Sequence, residues 1–330
     1  MSIVKSFHHK DGNHSTAAAW VLTSKSHLGV AESGDLKEPS YGSLASRFFG
    51  NNTDMGLPTY VKTNKIDYAG ARRDASAWLG SNYVGFDVDS EGLRNLELGI
   101  EPERMKQRMN LVKTVDVGPG DARFTDYHKG WTDLRSQAYN IAMGKARQIF
   151  DTTKEPEAVQ KSYNSTKSDF GKSLLMARRL VQNGSRFVSV STGGWDMHNE
   201  IYKGMESLAP SLDAGLSALT QDLKSQGLLN DTMVVVTTEF GRTYKINANA
   251  GRDHWNQLVP LVFIGGGYNH GREIGKAEKN GSSALDNGYS PADLCATIMD
   301  HLAIPRHTYF YDNLKRPHHL FESDARNIIV

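Results

Sequence analysis

Two runs along the chain are apolar at nearly every position: MVVVTT (233–238) and LVFI (261–264). Runs this short and this continuous, bounded by polar turns and glycines, predict strands buried on both faces, as in a parallel sheet. RFVSVS (186–191) alternates and predicts a third strand, and LPTYVKT (57–63) a short fourth. Other segments repeat their apolar positions with the helical period. In 168–184 the stripe is Phe170, Leu174, Leu175, Ala177, Leu180 and Val181, entered at Ser168 and closed by Gly184. Residues 202–231 predict a long amphipathic helix. Residues 290–304 predict another, with Ser290 at the cap and Pro291 in the first turn. Further helices are predicted over 14–24, 41–50, 101–117 and about 122–150. SNYVGFDVDS (81–90) predicts exposed loop, in a region of scattered glycines and charges. Strands and helices in alternation predict an α/β fold, a doubly wound and mostly parallel sheet flanked by helices. No repeat, low-complexity stretch or Pro-rich linker interrupts the 330 residues, so a single domain over 1–330 is expected.

Charge narrows the partners. The 38 Lys and Arg balance 37 Asp and Glu, so no basic field points to nucleic acid. No run is long and apolar enough to predict a membrane span. The opening MSIVKSFHHKDGNHS lacks the apolar core of a secretory signal, so the chain as written reads as cytoplasmic. The single cysteine, Cys295, has no internal disulfide partner and shares a helical stripe with Leu294, Ile298 and Leu302. It reads as a small buried hydrophobe. The basic stretch LKRPHHLFE, with His318 and His319, predicts a solvated tail.

Candidate chemistry gathers where the predicted strands end, which is where open α/β sheets bind ligands. Asp196 and His198 follow one strand in GGWDMHNE. Glu239 and Arg242 follow the next in TTEFGRT. Arg252, Asp253 and His254 lie in GRDHW, before the third. Imidazoles and carboxylates are ligands for first-row and hard divalent ions, leaving Zn, Mn, Mg and Ca open. Taken singly, each residue has a structural reading as turn former, hydrogen bonder or loop ion pair. At the other end of the chain HHKDGNHS supplies His8, His9, Asp11 and His14 ahead of a helix start, a position that favours anions. The glycines of GGGYNHG (265–271) lack dinucleotide-binding spacing.

GGWDMHNE, TTEFGRT and GRDHW, preceded by LLMARRLVQNGSRFVSV, together resemble domain-of-unknown-function family number 1501. That family is similar to sulfatases of the alkaline phosphatase superfamily. The resemblance runs from about Phe7 to the C-terminus. It implies a sulfatase-like sheet with metal ions at its carboxyl edge, and hydrolysis or transfer of phosphate or sulfate esters. It implies a divalent metal held by Asp196, His198 and His254, with Glu239 or Asp253 in support. Arg242 and Arg252 would clamp a small anionic ester, and His14 or Ser15 would be the nucleophile or its activator. Phe240 falls where the superfamily places a ligating histidine, which implies an altered second metal site. Family members usually begin with a twin-arginine export signal and a first strand, so the resemblance implies an expectation that this sequence starts after that strand. The leading reading is a metal-dependent hydrolase of sulfate or phosphate esters. The alternatives are a non-catalytic metal- and anion-binding relative or an incomplete fragment of such an enzyme, and with the signal lost from this sequence the parent protein would be periplasmic or exported.

Overall fold

The apolar runs become strands, and their pairing sets the frame of the molecule. The computed structural model describes residues 1–26, 36–53, 56–63, 67–68, 71–72, 76–88, 100–115, 125–143 and 146–330. Its strands are β1 (Ser2–Val4), β2 (Tyr60–Thr63), β3 (Asp67–Tyr68), β4 (Ala71–Arg72), β5 (Phe86–Asp87), β6 (Phe187–Val190) and β7 (Met233–Thr237). They continue as β8 (Gly241–Arg242), β9 (His254–Trp255), β10 (Leu261–Gly265), β11 (Glu273–Ile274), β12 (Tyr309–Tyr311) and β13 (Pro317–His319). One sheet has the order β11-β1-β10-β7 and a second the order β5-β2-β6.

The second sheet is parallel throughout, with Val61 opposite both Phe86 and Val188. In the first, β1 runs parallel to β11, but β10 pairs antiparallel with both β1 and β7, Val235 facing Phe263. The fold is thus α/β with mixed pairing. Continuous apolar runs report burial on two faces, which antiparallel and parallel neighbours satisfy equally; hence the runs over 233–238 and 261–264 gave no warning of their direction.

Among the described residues, β6 and β7 each end a sheet. Yet they share the same two packing layers. Phe187, Met233 and Val235 lie against the cluster containing Phe263, Leu294 and Met299. Val190 and Val234 lie against the cluster of Leu175, Leu219 and Leu223. Among the described residues no strand pairing joins β6 to β7, so the two half-sheets are linked there by side-chain packing, and every residue of both strands is only half-buried.

The helices follow their end signals. Ser168 Oγ accepts the Gly171 N–H at 3.1 Å and starts helix Asp169–Gln182, which buries Leu174, Leu175, Met176 and Leu180. This helix packs on Ile201–Ser225 and carries the cluster that supports both half-sheets. Helix Pro291–His301 opens with a reciprocal cap: Ser290 Oγ accepts the Asp293 N–H, and the Asp293 carboxylate accepts the Ser290 N–H at 2.8 Å. Cys295 lies in its buried face, 1% exposed.

Two expectations are corrected. The loop expected over 81–90 contains β5, whose two residues are too few for any periodicity to register. Of the helix expected over 122–150, the described residues 125–143 and 146–149 are helical, and 122–124 and 144–145 lie outside the described residues. The stretch LKRPHHLFE is solvated at 314–317 and 319, but it is no tail: it enters the hairpin β12–β13, buries Leu320, and folds Arg316 and His318 onto buried Asp312. Charge counting missed this because the cations there have a carboxylate partner inside the fold.

Candidate metal centre

Three segments converge beyond the ends of β6 and β7. The first is the start of helix His14–Thr23. Asn13 caps it, its side-chain oxygen accepting from the N–H of Ser15 at 2.9 Å and of Thr16 at 3.3 Å. Buried Asp11 accepts from the Asn13 N–H at 2.9 Å. The Asp11 N–H reaches His9 Nδ1, and His9 Nε2 donates to the Glu239 carbonyl at 2.5 Å. Burial keeps His9 neutral by lowering its pKa, which suits one accepting and one donating nitrogen. This lacing sets His14 beside the end of β7.

The second segment is the turn after β6, where Gly194 (φ 89°) redirects the chain into Asp196, buried Met197 and His198. The third is the loop 243–253 and the short antiparallel pair β8–β9. Arg242 and His254 are cross-strand partners there, so both side chains reach the same place. The loop seats on the second segment through Arg252 N–H to the Met197 carbonyl at 3.0 Å and a bridge between Asn199 and Ala250.

Asp196 is the centre of the arrangement. Its Oδ1 lies 2.5 Å from an Arg242 guanidinium nitrogen, 3.0 Å from His198 Nε2 and 3.1 Å from His254 Nε2. Its Oδ2 lies 3.1 Å from His14 Nε2. Partial burial opposes ionisation of this carboxyl. Hydrogen bonds from Arg242 and His254, and the charges of Arg242 and His14, outweigh it and hold the group well below the usual carboxylate range. Ligand atoms of His14, Asp196 and His254 all fall within 4.8 Å of one another, the spacing of a metal site. Phe240, 2% exposed, floors the cluster, its ring centroid 4.1 Å from that of His254 and 4.9 Å from that of His14.

The residues singled out by sequence take distinct places. Glu239 and Asp253 stand behind the imidazoles: Glu239 Oε1 is 2.7 Å from His14 Nδ1, and Asp253 Oδ1 is 2.8 Å from His198 Nδ1. That contact, with Asn247, holds the Asp253 carboxyl below its ordinary pKa. Ser15 is in the first turn of its helix but buried. The Arg252 guanidinium donates to the Thr243 carbonyl at 3.2 Å, whereas Arg242 faces Asp196. Two contributors escaped sequence reading. The Gly12 carbonyl accepts from His254 Nδ1 at 2.8 Å, and Asn247 donates to Asp253 and to the His198 carbonyl. A backbone oxygen leaves no mark in a sequence, and Asn247 sits in a loop without pattern.

The chain matches the family described as "Protein of unknown function (DUF1501)" over residues 1–329 and belongs to it. It is 29% identical over 153 residues to RHOMBOID-like protein 9, chloroplastic, of Arabidopsis thaliana; the matched part is 46% of this chain and 30% of that protein. The chain thus spans less than a third of this curated relative. Among solved structures it aligns with the PsFucS1 sulfatase from Pseudoalteromonas sp. at 15% identity and a TM-score of 0.40, over 91% of this chain and 59% of that one. It also aligns with the phosphonate monoester hydrolase SpPMH from Silicibacter pomeroyi at 14% identity and a TM-score of 0.39, over 99% and 68%. Among the described residues no helix is long and apolar enough to cross a membrane.

Proposed function

We propose that the chain is a metal-dependent hydrolase of phosphate or sulfate esters. The observation that carries this reading is the convergence of His14, His198, His254 and Arg242 on the one carboxylate of Asp196. A bound divalent ion would supply Lewis-acid polarisation of an ester oxygen. Asp196 and the imidazoles are the residues that would hold it. Arg242, partly exposed beside them, has the planar donor set that recognises an anionic ester group. Phe240 is the buried floor beneath His14 and His254.

Neither side chain considered as a nucleophile offers an unencumbered attacking atom. Ser15 is 2% exposed, and the His14 nitrogens contact Glu239 and Asp196. This favours a second reading for comparison: an anion-binding protein that keeps the metal and lacks turnover. The deciding experiment incubates the full chain with 4-nitrophenyl phosphate, 4-nitrophenyl sulfate and a phenyl phosphonate ester, with and without chelator, beside Arg242→Ala. Chelator-sensitive release of 4-nitrophenol, reduced in the variant, is expected. Anion binding without release selects the second reading, and neither binding nor release rejects both.

A further inference from the structure

The outer nitrogens of the three histidines are all committed to oxygen acceptors. His14 Nδ1 is 2.7 Å from Glu239 Oε1, His198 Nδ1 is 2.8 Å from Asp253 Oδ1, and His254 Nδ1 is 2.8 Å from the Gly12 carbonyl oxygen. A carbonyl and ionised carboxylates only accept, so each Nδ1 carries a proton. Nε2 is therefore the nitrogen each ring would offer an ion, in exchange for the proton it otherwise turns toward Asp196, and all three Nε2 atoms face Asp196 at 3.0–3.1 Å.

The inner nitrogens meet each other as well. His198 Nε2 and His254 Nε2 stand 3.0 Å apart. Two lone pairs at that separation repel unless a cation or a proton lies between them. With Asp196 Oδ1 they form a triangle whose sides are 3.0, 3.0 and 3.1 Å. Donors bonded to one tetrahedral ion at about 2.0–2.1 Å are about 3.3 Å apart, so the triangle is close to one face of such a site.

From this geometry we infer that the centre selects a zinc-class ion through imidazole nitrogen, with His14 as a ligand and not a nucleophile. Calcium and magnesium take oxygen donors, and here one carboxylate is outnumbered by three imidazoles. Glu239, Asp253 and the Gly12 carbonyl are positioning groups: they fix which nitrogen each ring offers and raise its basicity. The inference rests on the proposed metal centre and specifies its ion, but not its turnover.

The test uses the full chain, freed of metal by dialysis against chelator. Zn²⁺, Ca²⁺ and Mg²⁺ are titrated separately by calorimetry, and Co²⁺ is followed by visible absorption. The expected result is tight Zn²⁺ binding at about one ion per chain, no competition from Ca²⁺ or Mg²⁺ at equal concentration, and the intense bands of low-coordinate Co²⁺. His14→Ala should weaken Zn²⁺ by at least about 100-fold, and Glu239→Gln by about 10–100-fold with stoichiometry retained. Circular dichroism checks each variant; if His14→Ala does not fold, His14→Gln replaces it. Preferred binding of Ca²⁺ or Mg²⁺, or undiminished Zn²⁺ binding in the folded His14 variant, would overturn the inference. Zinc bound as stated with no ester hydrolysed leaves this inference standing and removes the hydrolase reading. Hydrolysis that needs Ca²⁺ does the reverse.

Discussion

Gly251 is where a single methyl group should separate the loop 243–253 from the residues it positions. A Cβ at this glycine would lie 2.0 Å from both the carbonyl carbon and oxygen of His198 and 2.4 Å from the Asn199 nitrogen. These are backbone atoms and cannot swing aside. To reach ordinary contact near 3.4 Å the loop must retreat by about 1.4 Å. That movement would break the Arg252 N–H bond to the Met197 carbonyl and draw Asp253 away from His198. Losing one such outer hydrogen bond lowers metal affinity by about 10–100-fold, and overpacking of this kind costs about 1–3 kcal/mol of stability. Gly251→Ala should therefore show both effects, in zinc titration and in urea denaturation. Gly12→Ala is the matched control: nothing lies within 4 Å of its Cβ, and its carbonyl still serves His254. It should bind zinc as the parent does. A Gly251→Ala protein with parental affinity and stability would refute the seating of this loop on His198.

Ser290→Ala removes one half of the reciprocal cap on helix Pro291–His301 and should cost about 1 kcal/mol in urea denaturation, while Ser290→Thr should recover most of it. Burial pushes the Cys295 thiol up to about 12, so the folded chain should resist thiol reagents at pH 8 and react once unfolded. The same shift has a sign in stability. The unfolded thiol ionises near pH 9 while the folded one stays neutral, so the contribution is complete below pH 9 and is lost as pH rises towards 12. Urea denaturation at pH 8 and pH 10 should show a smaller loss for Cys295→Ala than for the parent.

What the sequence made legible was chiefly what it repeats. The stripe from Phe170 to Val181 and the caps at Ser168 and Ser290 specify helices locally, and those helices are present. The runs at 233–237 and 261–265 are strands, as short apolar runs bounded by polar turns and glycines predict. Pairing direction was not legible, since it depends on which distant strand lies alongside. At the site, the motif spacing brought Asp196, His198, Arg242 and His254 together on paper, and they are together in space. The division of labour among them was not readable. Whether a carboxylate meets an inner or an outer imidazole nitrogen is decided by the register of Arg242 against His254 and by the lacing of residues 9–13 to Glu239. No residue type encodes either.

The absence of strand pairing between β6 and β7 among the described residues gives the candidate metal centre a mechanical setting. Asp196 and His198 follow β6, on one side; Glu239 and Arg242 follow β7 and His254 precedes β10, on the other. No strand hydrogen bond ties β6 to β7 among the described residues, so the polar contacts around Asp196 act as a clasp between two half-sheets. An ion shared by His14, Asp196 and His254 would close loops of 182 and 58 residues at one point. Loop-closure entropy grows only with the logarithm of length, so closing the longer loop costs only about 1 kcal/mol more than closing the shorter. A bound ion would therefore be coupled to the alignment of the two half-sheets: whatever draws them apart would loosen it, and it would in turn resist that separation.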